Sequence, residues 1–323
     1  MNLPVSYTIL FHPTLPFHFD SSLHKPDHFP STDNRWQPGV RWQTMLWQGV
    51  PLGLKFEQAG TLEESAVRLN VWSEHLLDAD FLQTLATEID WRNNFSLDLA
   101  EFYVRFAADP QLGPVVARWR GMRPLNAGSL YEYLIIAIAL QNATVRRSVN
   151  MLQALFEAFG TSVEYDGQTL SCFWPPEALR DVSEECLRAL KIGYRAKSIL
   201  RVSQAFYESE IDEFVLRNAK LEEQREVLLR LYGIGPASVG YILFDVFHRW
   251  DDFHHISPWE QKIYSKMFFD RSPEDPVPVS DLLALFEQRF SPWRMLAVHY
   301  LWEDIWWRRV HEPVEWLEQL IRL

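Results

Sequence analysis

The chain has 323 residues, 47% of them hydrophobic and 14% aromatic, with 14 Trp and 21 Phe. Such a composition excludes a disordered chain and predicts two or three packed domains. The formal net charge of -12 argues against a protein that coats nucleic acid by bulk electrostatics, and leaves room only for a local basic footprint.

The first 75 or so residues read as β. Leu52, Leu54 and Phe56 alternate with Gly53, Lys55 and Glu57; Val67, Leu69 and Val71 alternate with Arg68 and Asn70. Trp42, Thr44 and Leu46 form a third period-2 set, and Gly49, Pro51 and Gly60 punctuate the runs. This pattern predicts a small antiparallel sheet with one buried face. Residues 20–38, rich in His, Pro, Ser and Asp, read as a loop or insertion. From about residue 77 the period becomes helical. Helices are expected at 74–89, 97–107, 110–119, 129–141, 144–159, 175–182, 183–190, 194–208, 221–231, 236–247, 258–267, 279–290 and 292–310. Ser129, Ser183 and Ser257 stand as N-caps; Glu132 and Glu260 three residues on complete capping boxes, and Cys186 does not. The fold class is therefore α+β, with a β-sheet domain over 1–95 and a helical domain over 96–323.

Two cysteines, Cys172 and Cys186, cannot make a four-thiolate zinc or iron–sulfur site. No basic segment precedes the first apolar stretch, and no apolar run reaches about 18 residues, so a cytoplasmic protein without a membrane partner is expected.

The most specific segment is Leu231–Gly240, LYGIGPASVG. A helix ends at Leu231, Gly233 and Gly235 allow a tight turn, and Pro236 starts the next helix. Amides at the start of that helix form a phosphate site that a DNA backbone can approach closely. A plain interhelical turn would have the same sequence.

This segment resembles the helix-hairpin-helix motif of the DNA glycosylase superfamily. Three further stretches, in order, resemble the bacterial inducible 3-methyladenine glycosylase group: Ala108–Pro124 (ADPQLGPVVARWRGMRP), Tyr131–Asn142 (YEYLIIAIALQN) and Phe290–Trp302 (FSPWRMLAVHYLW). The N-terminal sheet is similar to that group's, which resembles half of a TATA-box-binding protein. The resemblance implies a monomer that acts on double-stranded DNA containing a damaged base, by flipping the base out of the stack. It puts Gln141 and Asn142 at the gap-filling loop, with Asn142 the wedge, although both amides could simply cap the preceding helix. It assigns DNA contacts to Gly233, Ile234, Gly235, Pro236, Ala237, Ser238 and Lys262. It implies no cofactor beyond a sodium or potassium ion held by the carbonyls of Leu229, Leu231 and Ile234. Strand-cleaving members carry a Schiff-base lysine just after Gly-x-Gly-Pro; this chain has Ala237, so lyase activity is not expected.

One departure is critical. The family's aspartate, which stabilises the charge that develops on the sugar, belongs where this chain has Ser257. Serine caps the helix equally well but carries no charge. Glu260 would curl back towards that cap and could replace the carboxylate, or could be a capping group only. Asp252, and more weakly its neighbour Asp251, are alternatives from the preceding loop. His254 and His255 lack a third ligand for a metal site. Tyr131, Trp259 and Trp302 could stack on a base, with Tyr232 nearby, although helical spacing also suits them to a core. Basic residues cluster at Arg188, Lys191, Arg195, Lys197 and Arg201, at Arg118, Arg120 and Arg123, and at Arg146 and Arg147, and are expected to face DNA. Two functions remain: a monofunctional glycosylase releasing alkylated bases, or a lesion- or DNA-structure-binding protein that has lost the chemistry.

Overall fold

A computed structural model describes residues 1–24, 31–126, 128–312 and 314–320. Strands β1 (Val5–Phe11), β2 (Asn34–Gln37), β3 (Val40–Trp47), β4 (Val50–Gln58) and β5 (Val67–Ser73) form one antiparallel sheet in the order β1-β5-β4-β3-β2. A separate hairpin joins β6 (Thr161–Tyr165) to β7 (Gln168–Cys172). The helices are α1 (Phe19–Leu23), α2 (Ala79–Asn93), α3 (Ala100–Phe106), α4 (Leu112–Arg118), α5 (Leu130–Leu140), α6 (Val145–Phe159), α7 (Glu184–Ala189), α8 (Arg195–Tyr207), α9 (Glu213–Arg217), α10 (Leu221–Arg230), α11 (Pro236–Asp245), α12 (Pro258–Phe269), α13 (Val279–Phe290), α14 (Arg294–His311) and α15 (Glu315–Leu320). The α+β class holds. The stretch read as a loop over 20–38 contains most of α1 and all of β2, while residues 25–30 lie outside the described residues.

The chain divides into two compact units. The first comprises residues 1–97, 121–219 and 230–233, and the second 98–120, 220–229 and 234–323. In the first unit, Leu52, Leu54, Phe56, Val67, Leu69 and Val71 pack with Met45, Trp47, Leu85 and Ile89. Their period-2 spacing puts them all on the face that α2 covers. Asp78 caps α2 by accepting from the Phe81 amide, which is why the helix starts at Ala79 rather than Glu74.

The sheet has two buried faces, not one. Trp42 and Leu46 lie on the face opposite Met45 and Trp47, and pack with Leu3, Val163, Tyr165, Leu170 and Cys172. The β6–β7 hairpin supplies this second layer. The Tyr165 ring lies directly on Gly53, where a Cβ would fall 2.4 Å from ring atoms, so no larger residue fits there. The Tyr165 hydroxyl donates to the Gln43 carbonyl at 2.8 Å. The Asp166-Gly167 turn has positive φ at both residues, the signature of a tight hairpin.

A buried ion cluster joins α2, α9 and the start of α5. Glu88, 3% exposed, accepts from Arg92 at 2.6 Å and from Arg217 at 2.6 and 2.7 Å. Arg217 also meets Glu213, whose other oxygen accepts from the Leu130 amide at 2.7 Å. Ser129 and Glu132 close a capping box beside it. Burial alone would raise the Glu88 pKa, but the two arginines more than offset this and hold it below the ordinary carboxylate value. A depressed folded-state pKa stabilises the fold above the unfolded value, and that contribution is lost as pH falls through the folded value. Glu88→Gln is expected to cost about 3–5 kcal/mol in urea unfolding at pH 7, because it removes the buried carboxylate shared by Arg92 and Arg217 and leaves a net positive charge in the cluster. The same variant should show a smaller loss of stability than wild type when the pH is lowered through the carboxylate range.

Candidate nucleic-acid interface

The turn after α10 is built around Gly233, at φ +87°. A Cβ there would also fall 2.4 Å from the Ser198 hydroxyl of α8, so both backbone and space require glycine. Gly233, Pro236 and Ala237 are exposed, while Leu231 and Ile234 are buried anchors. Gly235 is the N-cap of α11, with Pro236 first in the helix, and no side chain caps that end. The early amides of α11, those of Ala237 and Ser238, are left to an outside acceptor.

The loop after α5 is fixed from the same side. Arg195, 1% exposed, donates to the carbonyls of Ile138 and Gln141 at the C-terminus of α5. Its guanidinium lies 4.7 Å from the ring centre of Tyr194, an exposed aromatic that the sequence did not single out. Gln141 does not cap α5 with its side chain; the amide donates to the Gly233 carbonyl at 2.7 Å. Asn142 follows, exposed and in the left-handed conformation at φ +48°. Within the first unit, α8 thus braces both the Asn142 loop and the hairpin turn.

In the second unit, Ser257 caps α12 and Glu260 completes the box. Glu260, 5% exposed, accepts from the Ser257 amide at 2.8 Å through Oε2 and from the Tyr241 hydroxyl at 2.7 Å through Oε1. The Tyr241 ring is partly exposed, but its hydroxyl end is enclosed. Burial, and then the Glu260 charge, raise the Tyr241 pKa well above its ordinary value, so it stays a donor. Trp259 and Trp302 stack on each other with centroids 4.9 Å apart. Trp302 donates to the Tyr264 hydroxyl at 2.8 Å, and Trp259 to the Leu320 carbonyl at 2.8 Å. Lys262 lies one turn beyond Trp259, half-buried.

The structure places the other sequence candidates elsewhere. Tyr131 is a core residue of the first unit, 4% exposed, with its hydroxyl bonded to Ser203 and Trp174 and its ring against Phe173 and Phe206. Asp252 is bound by Arg225, with His254 at 3.1 Å. Asp251 holds Arg294 and Ser291, while the Trp250 carbonyl accepts from the Met295 and Leu296 amides. The Pro-Trp-Arg stretch is thus the dock for the 250–252 loop at the start of α14. No metal-holding group of His, Cys, Asp or Glu occurs among the described residues. The basic clusters need correction. Arg123 is buried on the carbonyls of Thr14 and Pro16, Arg118 meets Asp304 and Glu312, Arg188 meets Glu184, and Arg195 is internal. Arg123 and Arg195 are buried charges that find their partners inside the fold, while Arg118 and Arg188 are exposed and paired with acids at the surface. Arg146, Arg147, Lys191, Lys197 and Arg201 remain exposed.

No family model matches the chain. A probable N-glycosylase/DNA lyase from Methanothermobacter thermautotrophicus is 26% identical over 212 residues, 60% of this chain and 67% of its own. A DNA-3-methyladenine glycosylase from Bacillus subtilis is 23% identical over 218 residues, 65% of this chain and 68% of its own. The structure of the 3-methyladenine DNA glycosylase from Archaeoglobus fulgidus matches with a TM-score of 0.75 over 95% of this chain and all of its own, at 16% identity. The relatives of this chain are DNA glycosylases, and it shares their fold. The helix-hairpin-helix glycosylase resemblance therefore stands, and the 3-methyladenine group is among the relatives.

Two glycines of the turn should respond oppositely. Gly233→Ala is expected to destabilise by at least about 1–2 kcal/mol from the left-handed backbone alone. Gly235→Ser, in open space and with extended backbone, should stabilise by roughly 0.5–1 kcal/mol by capping α11. Thermal melts of the two variants check both signs.

Proposed function

We propose that this protein is a monofunctional DNA glycosylase that binds duplex DNA and releases damaged, alkylated bases. The observation that carries the reading is the exposed hairpin turn, in which the Gly233 carbonyl accepts from Gln141 of the loop bearing Asn142, and after which α11 begins without a side-chain cap. Phosphate would sit on the α11 amides, and Asn142 would fill the space of the flipped nucleotide. Tyr194 offers a flat exposed ring on the same brace. The carbonyls of Leu229, Leu231 and Ile234 would hold a sodium or potassium ion against the phosphate. In support, α10 ends at Arg230 and the chain reverses at Gly233, so carbonyls past that end leave the helical ladder.

In the reaction, the bond between C1′ and the base nitrogen breaks with its electrons leaving on the base, and water adds to C1′ and gives up one proton to solvent. A cationic alkylated base departs as a neutral molecule and needs less help than a normal one. Glu260 supplies the negative charge at the start of α12 that Ser257 does not. Without a lysine at 237, the strand is left intact.

Purified protein should release methylated purines from alkylated duplex DNA. Glu260→Gln preserves the box, because glutamine also suits that position, and removes the charge. It should slow single-turnover release by about 10²-fold or more with little change in melting temperature. Release that this substitution leaves unchanged refutes the role of Glu260. An absence of release, with tight binding to an abasic-site duplex, would instead make the protein a lesion binder. Gly235→Ser should weaken duplex binding although it stabilises the fold, since its hydroxyl competes with phosphate for the α11 amides.

A further inference from the structure

We propose that a basic groove along α8 extends the DNA footprint away from the hairpin turn and holds phosphates of the duplex flanking the lesion. The inference rests on the DNA-binding reading above. The groove, of about 350 Å³, lies in the first unit between the Pro176–Leu179 turn and α8. Arg180, Lys197 and Arg201 line it with Gln204, Tyr207 and Glu184. Glu184, its only acidic lining residue, is engaged by Arg188 at 2.7 Å.

The three cations are exposed and are held by neutral groups. The Arg180 guanidinium lies 5.0 Å from the Tyr207 ring centre, and the Lys197 ammonium 5.0 Å from that of Tyr232. Arg201 donates to the Gln204 carbonyl oxygen at 3.3 Å. Among the described residues, none of the three has a carboxylate partner. This sets them apart from Arg92, Arg217, Arg225, Arg289 and Arg294, each of which meets an acid. In a chain of net charge -12, folding alone does not explain three uncompensated cations in one groove.

The groove is continuous with the turn. Tyr232, under Lys197, belongs to the hairpin turn, and Ser198 packs beneath Gly233. Lys197 and Arg201 stand on one face of α8, about 6 Å apart along its axis. The aromatic platforms restrict the side chains while leaving their N–H groups free for an anion, so less freedom is lost on binding. A row of separated cations that runs on from a phosphate-binding turn suits a polyanionic backbone, read without regard to base sequence.

The test is duplex binding by wild type and by Arg180→Ala/Arg201→Ala over a range of salt, with a lesion-containing and an undamaged duplex. The double variant should lose affinity by a similar factor on both duplexes, and its log–log salt slope should fall by about 2. Its melt should be unchanged. Wild-type binding that the double variant reproduces in affinity and slope overturns the groove but not the glycosylase reading. Wild type that fails to bind either duplex overturns both.

Discussion

A guanidinium removed from water needs compensation, and Arg195 finds it at the C-terminus of α5. The last carbonyls of a helix lack internal donors and carry the negative end of its dipole, so one buried cation satisfies both groups at once. The consequence is positional. With its end fixed, α5 delivers Gln141 to the Gly233 carbonyl and Asn142 to an exposed left-handed conformation. The other end of α5 is fixed by the Ser129–Glu132 box and by Glu213 on the Leu130 amide. A strongly apolar helix held at both ends is a rigid rod, suited to presenting the exposed residue that follows it in one fixed position.

The start of α12 separates what a helix needs from what the proposed chemistry needs. Serine and aspartate are interchangeable as N-caps, so Ser257 leaves the helix intact. They are not interchangeable as charges. Glu260 restores a carboxylate at this helix end, but the Ser257 amide and the Tyr241 hydroxyl already engage both its oxygens. In the proposed reaction such a group would act through its field rather than by taking up a proton. Field stabilisation suits a leaving base that already bears a positive charge, where the barrier to be lowered is smaller.

Elements with strong local signals were legible in the sequence: β4 and β5 from period-2 runs, α13 from its spacing, the hairpin turn from glycines and proline, and the α12 box from Ser257 and Glu260. What was not legible depended on partners distant in the chain. The Trp42, Thr44 and Leu46 set alternates correctly, but nothing local says that β6 and β7, more than a hundred residues on, cover it. The Asp166-Gly167 turn was a signal for that hairpin that went unread among helices. Tyr131, Arg123 and Arg195 illustrate the same limit from the opposite side. A tyrosine or an arginine looks alike in a sequence whether it faces solvent or finds partners inside, and only tertiary packing decides between the two.

This limit also bears on how an acidic chain can hold a polyanion. Net charge acts over distance, but at physiological salt the field of exposed charges decays within about 8 Å. Affinity is then decided by the few cations that reach contact, and several arginines, among them Arg92, Arg118, Arg217, Arg225, Arg289 and Arg294, are engaged in the protein's own ion pairs. The surplus acidic surface opposes loose electrostatic adsorption elsewhere on the molecule. Contact is therefore favoured where backbone amides and uncompensated cations coincide, at the hairpin turn and along α8. A protein charged in this way would gain orientation on DNA from its acidic remainder as well as from its basic footprint.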